Sequence, residues 1–245
     1  MSHSRYFAGR DEKNEEKLAH LLATLPPYCK DYFRGIRPAT TSMTRVAYAY
    51  DLSMFFTFLR NSPDASLRAI CEAERPECLS AITKQDVECY LEYLEGNGAS
   101  PDDGPRNRTQ GIRRRFSSLK SFLSYFCEAK AIPANPADAT RMPKLREKEI
   151  IRMDQDEMRE FLTELENGTG LCGKEIAYHG RFQVRDKAML SLMLGTGIRV
   201  SECVGLDLED IDLTKNAAHI QRKGGREATV YYNDEVKENL RVYLG

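Results

Sequence analysis

Along the first half of the chain the apolar positions recur with helical spacing. Residues 41–60 place Tyr48, Leu52, Phe55, Phe56 and Leu59 on one face. Residues 83–95 open with Thr83 and Asp86 in capping-box positions, and Val87, Leu91 and Leu94 follow as an apolar stripe. The stretch 106–128 carries Ile112, Phe116, Leu119, Leu123 and Phe126, spaced by fours and threes. No period-two pattern competes, so residues 1–130 read as all-helical. The pattern then breaks at IPANPADATRMP, where Pro133, Pro136 and Pro143 disfavour helix at the residues before them and predict an extended linker. The basic run KLREKEIIR after it has no apolar period. These shifts divide the chain into a helical domain (1–140), a linker (141–152) and a second domain (153–245).

The second domain alternates helix and strand signals. Asp154 and Glu157 form another capping pair, and Met158, Phe161, Leu162 and Leu165 supply the expected buried stripe of the helix they open. A Gly-rich loop is expected over 167–180. The run RDKAMLSLML (185–194) is apolar nearly all round, which predicts a buried helix ended by Gly195 and Gly197. A short helix over 199–206 comes next. Ala217–Arg222 and Ala228–Tyr232 flank Lys223-Gly224-Gly225, a hairpin signal. A last helix over 234–244 keeps Val236, Leu240 and Leu244 in register. The fold class is mainly α, with an α+β second domain and one small antiparallel sheet.

Composition narrows the function classes. The chain has 245 residues, 41% hydrophobic and 30% charged, the profile of a folded globular protein. Its N-terminus has no apolar signal-peptide core, and the longest apolar run, residues 188–194, is far short of the roughly 20 residues of a membrane span. No membrane association is expected. Seven widely spaced cysteines without a CxxC read as reduced thiols of a cytoplasmic chain. The four histidines fit no metal-ligand spacing, and neither GxxxxGK[ST] nor GxGxxG occurs, so no metal and no cofactor is expected.

The net charge of −1 conceals clustering. Between Gly104 and Cys127 there is no acid, while Arg106, Arg108, Arg113, Arg114, Arg115 and Lys120 fall there. Positions 106, 113 and 120 share a helical face away from the apolar stripe. Residues 64–95 hold eight acids and three bases. A basic helix face with the acids elsewhere suits a phosphate-backbone surface. Arg45, Arg141, Lys144, Arg222 and Arg226 join it as candidate contacts to double-stranded DNA. A solvated helix with surplus arginine, or an interaction module whose basic helix meets an acidic partner, are the alternatives.

The candidate chemistry lies in GTGIRVSECVGLDLEDIDL (195–213) and IQRKGGREATVYYN (220–233). The first resembles the leading active-site arginine motif of the tyrosine recombinases, the phage-integrase and Xer-like site-specific recombinases. The second is similar to that family's strand–turn–strand bearing a catalytic lysine. The helical first half with Asn135-Pro136 is similar to the family's core-binding domain, a SAM-like fold. The resemblance implies a site-specific recombinase acting in DNA recombination or integration, with Arg199 and Lys223 catalytic and Glu202 supporting Arg199. A guanidinium offers several donors in a fixed plane to the non-bridging oxygens of a phosphorane. The lysine would protonate the leaving 5′ oxygen. The resemblance implies a 3′-phosphotyrosine intermediate, no cofactor and a homotetramer on paired DNA sites.

The family's His-x-x-Arg and nucleophilic tyrosine lie downstream of the lysine hairpin, and no HxxR follows Lys223 here. The expectation is that this 245-residue chain stops within the catalytic domain, binds DNA and does not cleave it. A non-catalytic DNA-binding regulator or a naturally truncated integrase is the alternative. Tyr231, Tyr232 and Tyr243 read as core-packing side chains and His219 as a strand side chain. Loss of partners predicts exposed apolar surface around the 185–194 helix.

Overall fold

The structure is a computed structural model and describes residues 5–97, 105–142, 144, 152–222 and 225–245. By internal contacts Arg10–Lys148 form one compact unit, and Glu149–Gly245 with Met1–Gly9 form the other.

The helical unit is built from α1 (Arg5–Ala23) from Arg10 onward, α2 (Cys29–Ile36), α3 (Ser42–Arg60), α4 (Ala65–Ile70), α5 (Lys84–Asn97) and α6 (Pro105–Glu128). Local signals set the helix starts. Thr41 caps α3 by accepting from the Thr44 N–H at 3.2 Å. Ahead of α5, Asp86 accepts from the Thr83 N–H at 2.8 Å. The α6 stripe is buried in full: Ile112, Phe116, Leu119, Leu123 and Phe126, with Phe122 completing it. It packs on the stripe of α3 and on α2, where Phe122 meets Phe56 and Tyr32 edge to face at centroid distances of 6.1 and 5.2 Å. Such aromatic pairs add about 0.5–1.5 kcal/mol each beyond their buried area.

The segment after α6 is not the extended linker that its prolines predict. Ala131 donates its N–H back to the Phe126 carbonyl at 2.9 Å, and Ile132 is buried. Asn135 is buried, accepts from the Ala137 N–H at 2.9 Å, and donates Nδ2 to Ser124 Oγ at 2.8 Å and the Lys120 carbonyl at 3.2 Å. It caps a 3-10 turn, Pro136–Ala139. Proline at the first turn position needs no donor, so a Pro-rich run folds against α6 instead of leaving it.

In the other unit α7 (Gln155–Asn167), α8 (Lys174–Thr196) and α9 (Val200–Val204) precede β1 (Ile211–Asp212), β2 (Ala217–Gln221), β3 (Glu227–Tyr231) and α10 (Asp234–Leu244). The sheet is antiparallel in the order β1-β2-β3, with Ile211 opposite Ala218 and Ala218 opposite Val230. Strand β1, two residues long, is too short for a period-two signal. Ala188 and Leu192 of α8, Ile198, Cys203, Ala218, Ile220, Tyr232, Val236 and Leu240 make the core. Gly195 marks the crossing of α8 and α10, since a Cβ there would stand 2.8 Å from Val236.

Three expectations for this unit are corrected. Helix α8 begins at Lys174, so the loop expected over 167–180 shrinks to the turn between α7 and α8. Gly180 sits inside the helix, where glycine costs about 1 kcal/mol against alanine and the rest of the sequence outweighs it. The 185–194 run is buried only at Ala188 and Leu192, and Leu194 stays 44% exposed. The α7 stripe has no buried residue, because periodicity names a face and only a packed neighbour covers it.

Candidate active site and nucleic-acid interface

Helix α8 ends at Thr196, and Gly197 takes a left-handed conformation (φ 69°) with its N–H on the Met193 carbonyl at 2.8 Å. Only a residue without a Cβ adopts this turn without strain. Ile198 plugs into the core, so Arg199 starts α9 facing outward. Glu202, one turn on, holds Arg199 at both ends. Its Oε2 accepts the Arg199 backbone N–H at 2.9 Å, and its Oε1 accepts Arg199 Nη1 at 3.0 Å. The Glu202 side chain is 5% exposed and the Arg199 side chain 72%. A buried carboxylate thus aims an exposed guanidinium.

The electrostatics agree with that arrangement. Burial by itself raises the Glu202 pKa. The hydrogen bonds from the Arg199 backbone and side chain, with the charges of Arg199 and Arg222, outweigh burial and hold the carboxyl below its usual value. Arg222, at the base of the β2–β3 hairpin, thus acts on Glu202 through its charge. At the hairpin the Arg222 N–H donates to the Arg226 carbonyl at 2.7 Å, and Gly225 turns the chain at φ 77°. Arg222 and Arg226 are both exposed. Lys223 lies outside the described residues. His219 is exposed on β2, its Nδ1 3.0 Å from Thr229 Oγ1, a strand side chain as expected.

Of the three tyrosines, Tyr232 is buried and donates its hydroxyl to the Asp212 carbonyl at 3.2 Å. Tyr231 and Tyr243 are 71% and 46% exposed, which corrects their reading as core side chains. Tyr231 falls on the open face of the hairpin. Tyr243 borders a 610 Å³ cavity between α8, α9 and α10, with Leu192, Cys203, Val204, Leu208 and Leu240 also in its wall. The apolar surface expected around α8 is there.

The basic helix is α6. Arg114 is half-exposed and pairs with Asp51 of α3 at 2.6 Å. Arg113 and Arg115 are partly buried, and Lys120 pairs with Asp138 at 2.8 Å. The side chains of Arg106 and Arg108 lie outside the described residues. Arg141 and Lys144 are exposed. Arg45 differs from its expected role. It is 6% exposed, its Nη1 donates to the Thr40 carbonyl at 2.6 Å, and its Nη2 pairs with Glu15. The guanidinium joins α1 to α3, and its burial keeps it from a phosphate at the surface. Sequence reasoning missed Asp51, although a signal exists: an acid three residues after Tyr48 and four before Phe55, within the apolar stripe.

Residues 151–245 match the model of the phage integrase family. Two similar relatives are tyrosine recombinases. XerC of Caldanaerobacter subterraneus subsp. tengcongensis is 29% identical over 89% of this chain and 58% of its own length. XerS of Streptococcus agalactiae is 27% identical over 94% of this chain and 70% of its own. The chain thus spans between about half and about two thirds of the relatives it matches. In fold it is similar to a lambda integrase dimer bound to a core site (TM-score 0.58, 17% identical, covering 87% of this chain and 64% of that one). It is similar also to the Tn1549 transposon integrase in complex with circular-intermediate DNA (TM-score 0.56, 14% identical, covering 90% and 65%). The matched residues include the Arg199–Glu202 pair and Arg222, whose charge acts on Glu202. Among the described residues no group of His, Cys, Asp and Glu could hold a metal ion, and no helix is long and apolar enough to cross a membrane.

Proposed function

We propose that the protein acts in site-specific DNA recombination of the tyrosine-recombinase kind, and that its binding partner is double-stranded DNA. The observation that carries this reading is the buried Glu202 gripping both the backbone and the guanidinium of an exposed Arg199. Transesterification at a phosphodiester builds negative charge on the non-bridging oxygens. A guanidinium fixed before the substrate arrives stabilises that charge without reorganising. Lys223 serves as the acid for the leaving 5′ oxygen, with Arg222 and Arg226 on the flanking phosphates. Residues 1–140 grip the duplex through α6, residues 141–152 link, and residues 153–245 contribute the catalytic side. In the whole enzyme a tyrosine attacks the scissile phosphate to give a 3′-phosphotyrosine, within a tetramer on paired sites. The free thiols of all seven cysteines fit action in the cytoplasm.

We infer further that a polypeptide of residues 1–245 alone binds duplex DNA without cleaving it. It carries Arg199 and Lys223 and no His-x-x-Arg after Lys223. A nicked suicide duplex that traps 3′-phosphotyrosine adducts tests this. Retention of the duplex with no covalent band is the expected result, and a covalent band overturns it.

A further inference from the structure

Asp51 occupies a position of α3 where the helical period calls for an apolar residue. Its side chain is 2% exposed. Its Oδ2 accepts from Ser118 Oγ at 2.7 Å and from Arg114 Nη1 at 2.6 Å, both on α6. Ser118 is fully buried, whereas the Arg114 side chain is 48% exposed. The pair therefore crosses the surface, with its carboxylate inside and its guanidinium at the solvent border. Beside it lies Tyr90 of α5, completely buried, whose hydroxyl has no hydrogen-bond partner. Tyr90 interacts electrostatically with Asp51, Arg114 and Arg115.

A buried carboxylate is a poor stabiliser, since well-packed apolar side chains often serve as well or better. What it does supply is direction. We propose that Asp51 is a positioning residue for DNA contact, anchoring one nitrogen of Arg114 so that the rest of its fork faces outward to take a phosphate of duplex DNA. The proposal rests on the duplex-DNA reading above. A guanidinium has five donors in one plane, and one anchored nitrogen leaves the others free for a phosphate. An arginine tethered in advance loses less side-chain freedom on binding.

The groups facing Asp51 also give a pH signature. Burial raises its pKa, and Ser118, Arg114 and Arg115 act against burial without cancelling it. Tyr90 is the remaining titratable neighbour and stays neutral in this range, its pKa being raised by burial. Acidification withdraws the anchor at a pH where ordinary aspartates are still ionised.

The test is fluorescence anisotropy of a fluorescein-labelled random-sequence duplex with the 245-residue chain and its Arg114→Ala, Asp51→Asn and double variants. Arg114→Ala is expected to weaken binding about tenfold and to lower the salt slope by about 0.9. Asp51→Asn weakens binding several-fold alone and adds nothing in the Arg114→Ala background. Equal weakening in both backgrounds, or no weakening by Asp51→Asn, overturns the proposal while leaving DNA binding intact. Absence of any duplex binding by the parent chain overturns both readings. Should Asp51→Asn fail to fold, the parent and Arg114→Ala are compared over mildly acidic pH. The parent is expected to lose affinity more steeply, and parallel curves overturn the proposal.

Discussion

In the helical unit a carboxylate reaches its arginine across 63 residues of chain; in the second unit the separation is three. Asp51 is held in a dense core where Phe55, Phe56, Leu59, Phe116 and Phe122 are essentially sealed from water. Glu202 sits on a thin scaffold in which α7 buries nothing and Val204 and Leu208 stand open. The difference teaches that an exposed arginine can be aimed in two ways. One way needs a well-packed interior to hold the carboxylate in place. The other needs only a helix start, where residues i and i+3 meet regardless of what lies beneath. The second unit therefore keeps its Arg199 geometry while much of its apolar surface is uncovered.

The contrast in packing is broken most directly by removing core volume. Phe122→Ala should destabilise the helical unit by about 3–5 kcal/mol, whereas Leu162→Ala in α7 should cost far less. Denaturant unfolding monitored for each unit separates the two, and comparable losses would contradict the contrast. A middle-sized effect is expected at the crossing of α8 and α10. Gly195→Leu forces a side chain into Val236 and should cost about 1–3 kcal/mol by overpacking, read as a lowered denaturation midpoint.

The two carboxylates give a finer test because their pH signs are opposite. The folded pKa of Glu202 is lowered from 4.5, so its contribution is complete above that value and is lost as pH falls through the folded pKa. The folded pKa of Asp51 is raised from 3.8, so its linkage favours the fold below that value and fades as pH rises through the folded pKa. Glu202→Gln should cost about 1 kcal/mol at neutral pH and flatten the acid-side loss. Asp51→Asn should remove an acid-side gain. Urea titrations across acidic pH check both signs. The smallest effect is expected at Lys120→Ala, whose half-exposed pair with Asp138 is worth about 0–1 kcal/mol.

Legibility in the sequence follows the same division. The stripes of α3 and α6 and the capping pairs at Thr83–Asp86, Asp154–Glu157 and Arg199–Glu202 depend on spacings of three and four, so residue order states them. Nothing near Arg45 in sequence predicts Glu15 as its partner, so residue order gives a surface arginine. The partners of Asp51 lie on a helix more than 60 residues on, beyond the reach of local spacing. Alternation and register place Tyr231 and Tyr243 in a core, although both sit on the open side of their element. Backbone rules alone make the proline run after α6 extended, and the Asn135 side chain folds it back.

In the proposed function Arg199, aimed by Glu202, contacts a DNA phosphate. That contact is tested most directly by the salt dependence of duplex binding for the parent chain and for Arg199→Ala, with unfolding midpoints measured alongside. The slope of log affinity against log salt is expected to fall by about 0.9, the loss of one phosphate contact, with the midpoint little changed. An unchanged slope in a folded Arg199→Ala protein would contradict it.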